Sequence, residues 1–451
     1  MIIKAQECPA WLKSGAIYQI NPRTFSAEGT IASVTAELPF LASLGFKTMY
    51  LCPIFSEDDS EDTENFSDRQ KKSATGNPKN PYRMKDYFEV DSEYGTMADL
   101  RTFVETAHAL GTRVLLDLVY AHIGPHAAIL STHPEFAKQN ADGSFLNGPW
   151  HFPLLDYDNP GLREYLWSNM AYYIAEIGVD GFRCDAADYT PIDFWVEGRR
   201  RIRTMVPDAV LLYEGGKGDA LIAGFDAIYG FGWHETLYSV LRGEKTAADL
   251  RGCWEWTNQN YPSGAVIMRD IDNHDTVTDW DVRAEKLAGH AGMDLVEVLN
   301  FMIDGVPMVY CGNELGCAAH LSMFANRFHP GVFDVTDRSE AAKAADFSVR
   351  RQNLIRRLNT IRRENSAVRD GETAWLTVQT IGDCGQITAF CRKGTVSTVT
   401  VIGNLSAQPC RIRQAEEILK ENVLLESGIS TEQDGIMTLD GYGYIVTETR
   451  E

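Results

Sequence analysis

Eight short apolar runs recur between residues 17 and 312, separated by amphipathic stretches and loops. They lie near Ile17–Ile20, Thr48–Pro53, Arg113–Val119, Gly181–Ala186, Val210–Glu214, Phe225–Tyr229, Ala265–Ile271 and Pro307–Gly312. Near-continuous runs of this kind read as strands buried on both faces, and strands alternating with helices build a parallel sheet. Helical spacing between them is clearest in Met97–Leu110, Gly161–Ile177, Asp193–Val206, Ala284–Ile303 and Ser348–Ser366. Eight such units predict an α/β fold, a closed (β/α)8 TIM barrel.

Four of these segments run into polar groups: VLLDLVYAH into Asp117 and His122, GVDGFRCD into Asp185, VLLYE into Glu214, and VIMRDIDNHD into His274 and Asp275. In a parallel barrel such residues meet at one rim, where active sites are built. The third connection, from His122 to about Asn159, is rich in Gly, Pro and Asn and predicts a short excursion over that rim. After Gly371 short alternating runs such as QITAFCR, STVTVIGN and YGYIVTE predict an antiparallel β-sandwich. The expected domains are a barrel over 1–121 and 160–370, the excursion over 122–159, and a C-terminal domain over 371–451.

A formal charge of −21 excludes nucleic acid or an anionic membrane as the main partner, since both require a basic surface. The chain has no leader-like or bilayer-spanning apolar run, so a soluble cytoplasmic protein is expected. Its nine cysteines are odd in number and scattered through apolar runs, which points to small buried hydrophobes rather than a disulfide framework. The acid-rich stretch Ser56–Asp68 reads as a mobile surface loop.

The segments AIYQINPRTF, GFKTMYLCPIF, GVDGFRCDAAD, LLYEGG, IDNHD and GVPMVYCGNELG, in this order, resemble those of the α-amylase family, glycoside hydrolase family 13. The resemblance implies an enzyme on α-linked glucose polymers or oligosaccharides. Retaining cleavage needs a nucleophilic carboxylate and a general acid roughly 5–5.5 Å apart. Asp185 and Glu214, at the ends of adjacent strands, take those roles by resemblance, and Asp275 becomes the third carboxylate, holding sugar hydroxyls. Arg183 lies two residues before Asp185 on the same strand face, where it is expected to lower the aspartate's pKa. Glu214 follows an apolar run whose desolvation is expected to raise its own. Tyr82, His122, Arg183 and His274 are the implied substrate-binding residues, with Asp86, Tyr87 and Asp117 as supports of the rim.

Two departures stand out. Relatives that bind calcium use an asparagine and an aspartate at places that hold Ala121 and Leu154 here, neither of which offers a side-chain oxygen. No metal or cofactor is therefore expected. The sequence Ala186-Ala187-Asp188-Tyr189 lacks the Lys-His pair of many starch-cleaving relatives, and the eighth loop offers Phe324, Asn326, Arg327 and Phe328 as contacts beside an otherwise open cleft. The leading expectation is a retaining α-glycosidase acting on maltooligosaccharides or related α-glucans. An α-glucan transglycosylase and a non-catalytic carbohydrate-binding protein are the alternatives.

Overall fold

The computed structural model describes residues 3–279, 283–329, 333–382, 384–413, 422–432 and 435–450. All eight expected strands form: β1 (Ile17–Ile20), β2 (Thr48–Leu51), β3 (Arg113–Leu118), β4 (Gly181–Cys184), β5 (Val210–Tyr213), β6 (Ala227–Tyr229), β7 (Ile267–Arg269) and β8 (Val306–Tyr310). They pair in parallel in chain order, and β1 pairs with β8 to close the barrel. Side chains alternate across the barrel wall: Val210 and Leu212 join Ile17, Tyr50, Leu115 and Met308 in its bore, while Leu211 and Tyr213 pack outward. Gly181 permits the closest approach of β4 to β5. Its φ is +156°, and a Cβ there would lie 2.2 Å from the Val210 carbonyl oxygen.

Helices sheath the outside, among them α1 (Ile31–Ser43), α3 (Met97–Ala109), α4 (Pro160–Tyr172), α5 (Ile192–Met205), α6 (Phe231–Leu241), α7 (Ala247–Asn260), α8 (Ala284–Met302) and α9 (Asp346–Glu364), while the short α2 (Asp68–Lys72) lies over the strand ends. Capping boxes start α1 at Thr30/Ser33 and α3 at Thr96/Asp99, each satisfying amide donors that the first turn leaves free. The excursion carries two 3-10 turns, Ala128–Ser131 and Pro134–Phe136. Isolated bridges hold it together, including His122 to Leu154 and Asn147 to Pro153.

The C-terminal domain is antiparallel, with β9 (Glu372–Trp375), β10 (Thr380–Ile381), β11 (Ile387–Lys393), β12 (Ser397–Asn404), β13 (Cys410–Arg413), β14 (Asn422–Thr431) and β15 (Ile436–Arg450). The hydrogen-bonded order is β9-β11-β12-β15-β13-β10, with β14 also on β15. Phe390, Val399, Val401, Tyr444 and Val446 extend the barrel core, while Ala389, Ile402, Ile412, Met437 and Leu439 form a separate core.

Two expectations are corrected here. Cys384 and Cys410 are joined as a disulfide in the C-terminal domain, Cα atoms 5.5 Å apart, so not every cysteine is a lone hydrophobe; the other seven are free. The Ser56–Asp68 stretch does not begin as a surface loop. Glu57 and Asp58 are buried, because the Arg23 Nη2 donates to both Glu57 carboxylate oxygens, at 3.0 and 3.1 Å, and Asp58 accepts from the His126 amide. Burial still pushes the Glu57 carboxyl up to about 7, against the Arg23 charge.

Candidate active site

Barrel geometry brings every expected catalytic and binding residue to the carboxyl ends of the strands, around the buried guanidinium of Arg183. Its Nη1 donates to Asp117 Oδ1 at 2.6 Å and to Asp185 Oδ1 at 2.9 Å, and its Nη2 pairs with Glu214 Oε1 at 2.5 Å. Asp117 on β3 therefore belongs to the charge network as well as to the wall, with Oδ2 accepting from the Tyr50 hydroxyl at 2.6 Å. Glu214 Oε2 accepts the Ala186 amide at 2.7 Å. Ala186, directly after Asp185, stands in the left-handed region at φ 40°, a sparsely populated conformation for a residue with a Cβ.

A hydrogen-bond relay runs along the other side. Gln19 Nε2 donates to His274 Nδ1 at 2.8 Å, so the ring proton lies on Nε2, which reaches the Tyr82 hydroxyl at 2.7 Å. Tyr82 in turn donates to Asp117 Oδ2 at 3.2 Å and stacks on His274, ring centroids 5.6 Å apart. His122 Nε2 donates to the Tyr82 carbonyl at 2.7 Å, leaving Nδ1 as a buried acceptor with no partner among the described residues, beside Trp150 and Phe152. Tyr87 donates to the Val119 and His122 carbonyls, as a support of the rim should. Of the eighth-loop candidates only Phe324 lines the cavity. Asn326 and Arg327 bind the Glu93 region, and Phe328 is exposed.

The charge balance differs from the expectation for Asp185. Burial raises its carboxyl, Arg183 lowers it, and the neighbouring carboxylates of Glu214, Asp117 and Asp275 raise it again, leaving it well above the usual range. One guanidinium divided among three carboxylates cannot depress each of them. Asp117 is likewise pushed up to about 6, chiefly by burial. Glu214 is less enclosed than its apolar run suggests, because the run buries the backbone of β5 and leaves the carboxyl half-buried at the cavity. Burial would raise Asp275 too, but His274, Arg69 and Arg183 outweigh it and hold the carboxyl well below the usual range. His274 is neutral near pH 7, so the standing charge comes from Arg69, whose Nη2 lies 2.8 Å from Asp275 Oδ1.

Burial lowers His122 to about 4 from the usual 6.5. The unfolded chain therefore takes up a proton that the folded one refuses, and stability falls as pH drops through that window. His122→Gln, which cannot titrate, is expected to lose less melting temperature than the wild type between pH 7 and pH 5. Equal losses in thermal scans would show that His122 does not carry this dependence.

Residues 17–153 match the family model for the α-amylase catalytic domain. A cyclomaltodextrinase from a Bacillus species is 26% identical over 466 aligned positions, covering 88% of this chain and 73% of that protein. The α-amylase MalA of Haloarcula japonica is 28% identical over 337 positions, covering 69% of this chain and 45% of its own length. Among solved structures, an α-amylase from Lactobacillus plantarum superposes with a TM-score of 0.78 at 25% identity, over 98% of this chain and 100% of that one.

Proposed function

We propose that the chain, a glycosidase by its similarity to the α-amylase family, cleaves α-glucosidic bonds of maltooligosaccharides or related α-glucans with retention of configuration. The observation that carries this reading is the placement of Asp185 and Glu214 on one guanidinium, at the ends of the paired strands β4 and β5. A pair so close suits direct attack by one carboxylate while the other protonates the leaving oxygen, the arrangement of a retaining enzyme. Asp185 forms the bond to the anomeric carbon as Glu214 donates its proton to the departing oxygen. Glu214 then removes a proton from water, which displaces Asp185. Asp275, held ionised, accepts hydroxyls of the sugar in the cavity, and neutral His122 and His274 bind it without adding positive charge beside the developing oxocarbenium ion.

The test is the first-formed anomer, read by proton NMR, together with trapping by a 5-fluoro-α-glucosyl fluoride. The α-anomer and a covalent adduct on Asp185 are expected; a β-anomer as first product would sink the retaining reading.

We also propose a cytoplasmic protein that works without calcium. Among the described residues no helix is long and apolar enough to cross a membrane. The backbone oxygens at the two relevant positions already accept from amides, Ala121 from Leu155 and Leu154 from Lys138, and the Leu154 side chain lies against Gly148. These groups do not fit a hard cation that needs six or more oxygens. Chelator should leave both melting temperature and activity unchanged, since a ligand that does not bind the folded state cannot stabilise it. A fall of several degrees in differential scanning calorimetry, reversed by calcium alone, would refute this.

A further inference from the structure

Helix α2 lies across the rim and is tied to three other parts of it. Its N-cap Ser67 accepts from the Gln70 amide, and the buried Gln70 side chain donates to the Asn77 and Pro78 carbonyls. Asp68 pairs with His151 of the excursion at 3.0 Å. Arg69 reaches the segment after β7, with Nη2 2.8 Å from Asp275 Oδ1 and Nε 2.9 Å from Asp279 Oδ1, while its guanidinium sits over the Phe324 ring of the eighth loop. The cavity left beneath, about 120 Å³, is lined by Arg69, Phe324, Trp150 and Phe152 with the catalytic carboxylates. It falls below the roughly 300–1,000 Å³ of sites that enclose drug-sized ligands, and suits one sugar ring better than a chain passing through.

The closed side can be named from the chemistry. Glu214 gives its proton to the leaving oxygen, so the departing part of the substrate extends past Glu214. Arg69 binds Asp275 and Asp279, which follow β7 and are set apart from Glu214 at the end of β5 by the intervening β6, so the end it narrows is the one away from the proton donor, where the sugar that becomes attached to the enzyme must end. We propose that Arg69 is a specificity-determining residue that closes this end and makes the protein exo-acting, removing a single glucosyl unit from the non-reducing end of an α-glucan. The proposal rests on the retaining-glycosidase reading above. The ion pairs of Arg69 are a third or more exposed on the carboxylate side, so their main effect is on the shape of the site rather than on stability.

The test compares 4-nitrophenyl maltoheptaoside with the same compound blocked at its non-reducing end by a 4,6-ethylidene group, using the full chain. The wild type should cleave the free substrate about 100-fold faster than the blocked one, and Arg69→Ala should narrow that ratio at least about tenfold whatever its effect on overall rate. Arg69→Lys should restore much of the preference, and Phe324→Ala should weaken it should the Arg69→Ala protein fail to fold. Comparable cleavage of both substrates by the wild type, or an unchanged ratio in both variants, would overturn the proposal alone. No turnover of either compound or of α-glucosyl fluoride would overturn the functional reading and the proposal with it.

Discussion

Asp185→Ala should lower kcat by about four orders of magnitude or more, the scale seen when a covalent catalyst is removed from a site whose other groups remain. The fold should survive. Arg183 keeps Asp117 and Glu214 as partners, and the lost carboxylate is one that burial and its neighbours destabilise in the charged form. The melting temperature is therefore expected to hold or rise, in line with active-site groups that cost stability. Rates near those of the wild type, in a preparation freed of other glycosidases, would remove Asp185 from the nucleophile role. A collapse in melting temperature would instead show that the carboxylate is a structural partner of Arg183.

Glu214→Gln should separate substrates by their leaving groups. The amide preserves the shape of the side chain but cannot give up a proton to an alkoxide, so turnover of maltooligosaccharides should drop by about two to four orders of magnitude. α-Glucosyl fluoride leaves without protonation, and its first, bond-breaking step should be affected far less. The glutamine also keeps a carbonyl oxygen for the Ala186 amide, so the backbone after Asp185 should stay in place. Equal losses on both substrates, measured as kcat/KM, would exclude Glu214 as the proton donor.

How much of this was legible in the sequence depended on whether a signal was periodic. The barrel strands could be read to within a few residues, because β-structure buried on both faces leaves unbroken apolar runs. Asp185, Glu214 and Asp275 were legible as the polar ends of such runs. Gln19 had a signal that went unread: it is a wholly buried amide inside an otherwise apolar strand, and it fixes the His274 tautomer. Arg69, Trp150 and Phe152 had none, since a five-residue helix and an irregular excursion carry no repeat that tells which side chain turns inward. The sharing of Arg183 could not be read from its neighbour Asp185 alone, because Asp117 arrives from a strand 66 residues away. Long-range pairing likewise hid the Cys384–Cys410 bridge between separate runs of the C-terminal domain.

The division of Arg183 among its neighbours also sets which inhibitors the site should prefer. Asp185, Glu214 and Asp275 line the cavity, Asp117 lies buried behind them on Arg183, and Arg183 and Arg69 are the guanidiniums paired with these carboxylates. In the proposed mechanism Glu214 enters carrying a proton, and the ionised forms of Asp117, Asp185 and Asp275, with Asp279 also on Arg69, outnumber the two guanidiniums. That uncompensated charge is complementary to a cation. A sugar mimic with a protonated ring nitrogen should therefore bind far more tightly than the neutral sugar of the same shape, because it presents to the enzyme the charge that the substrate acquires only on the way to cleavage.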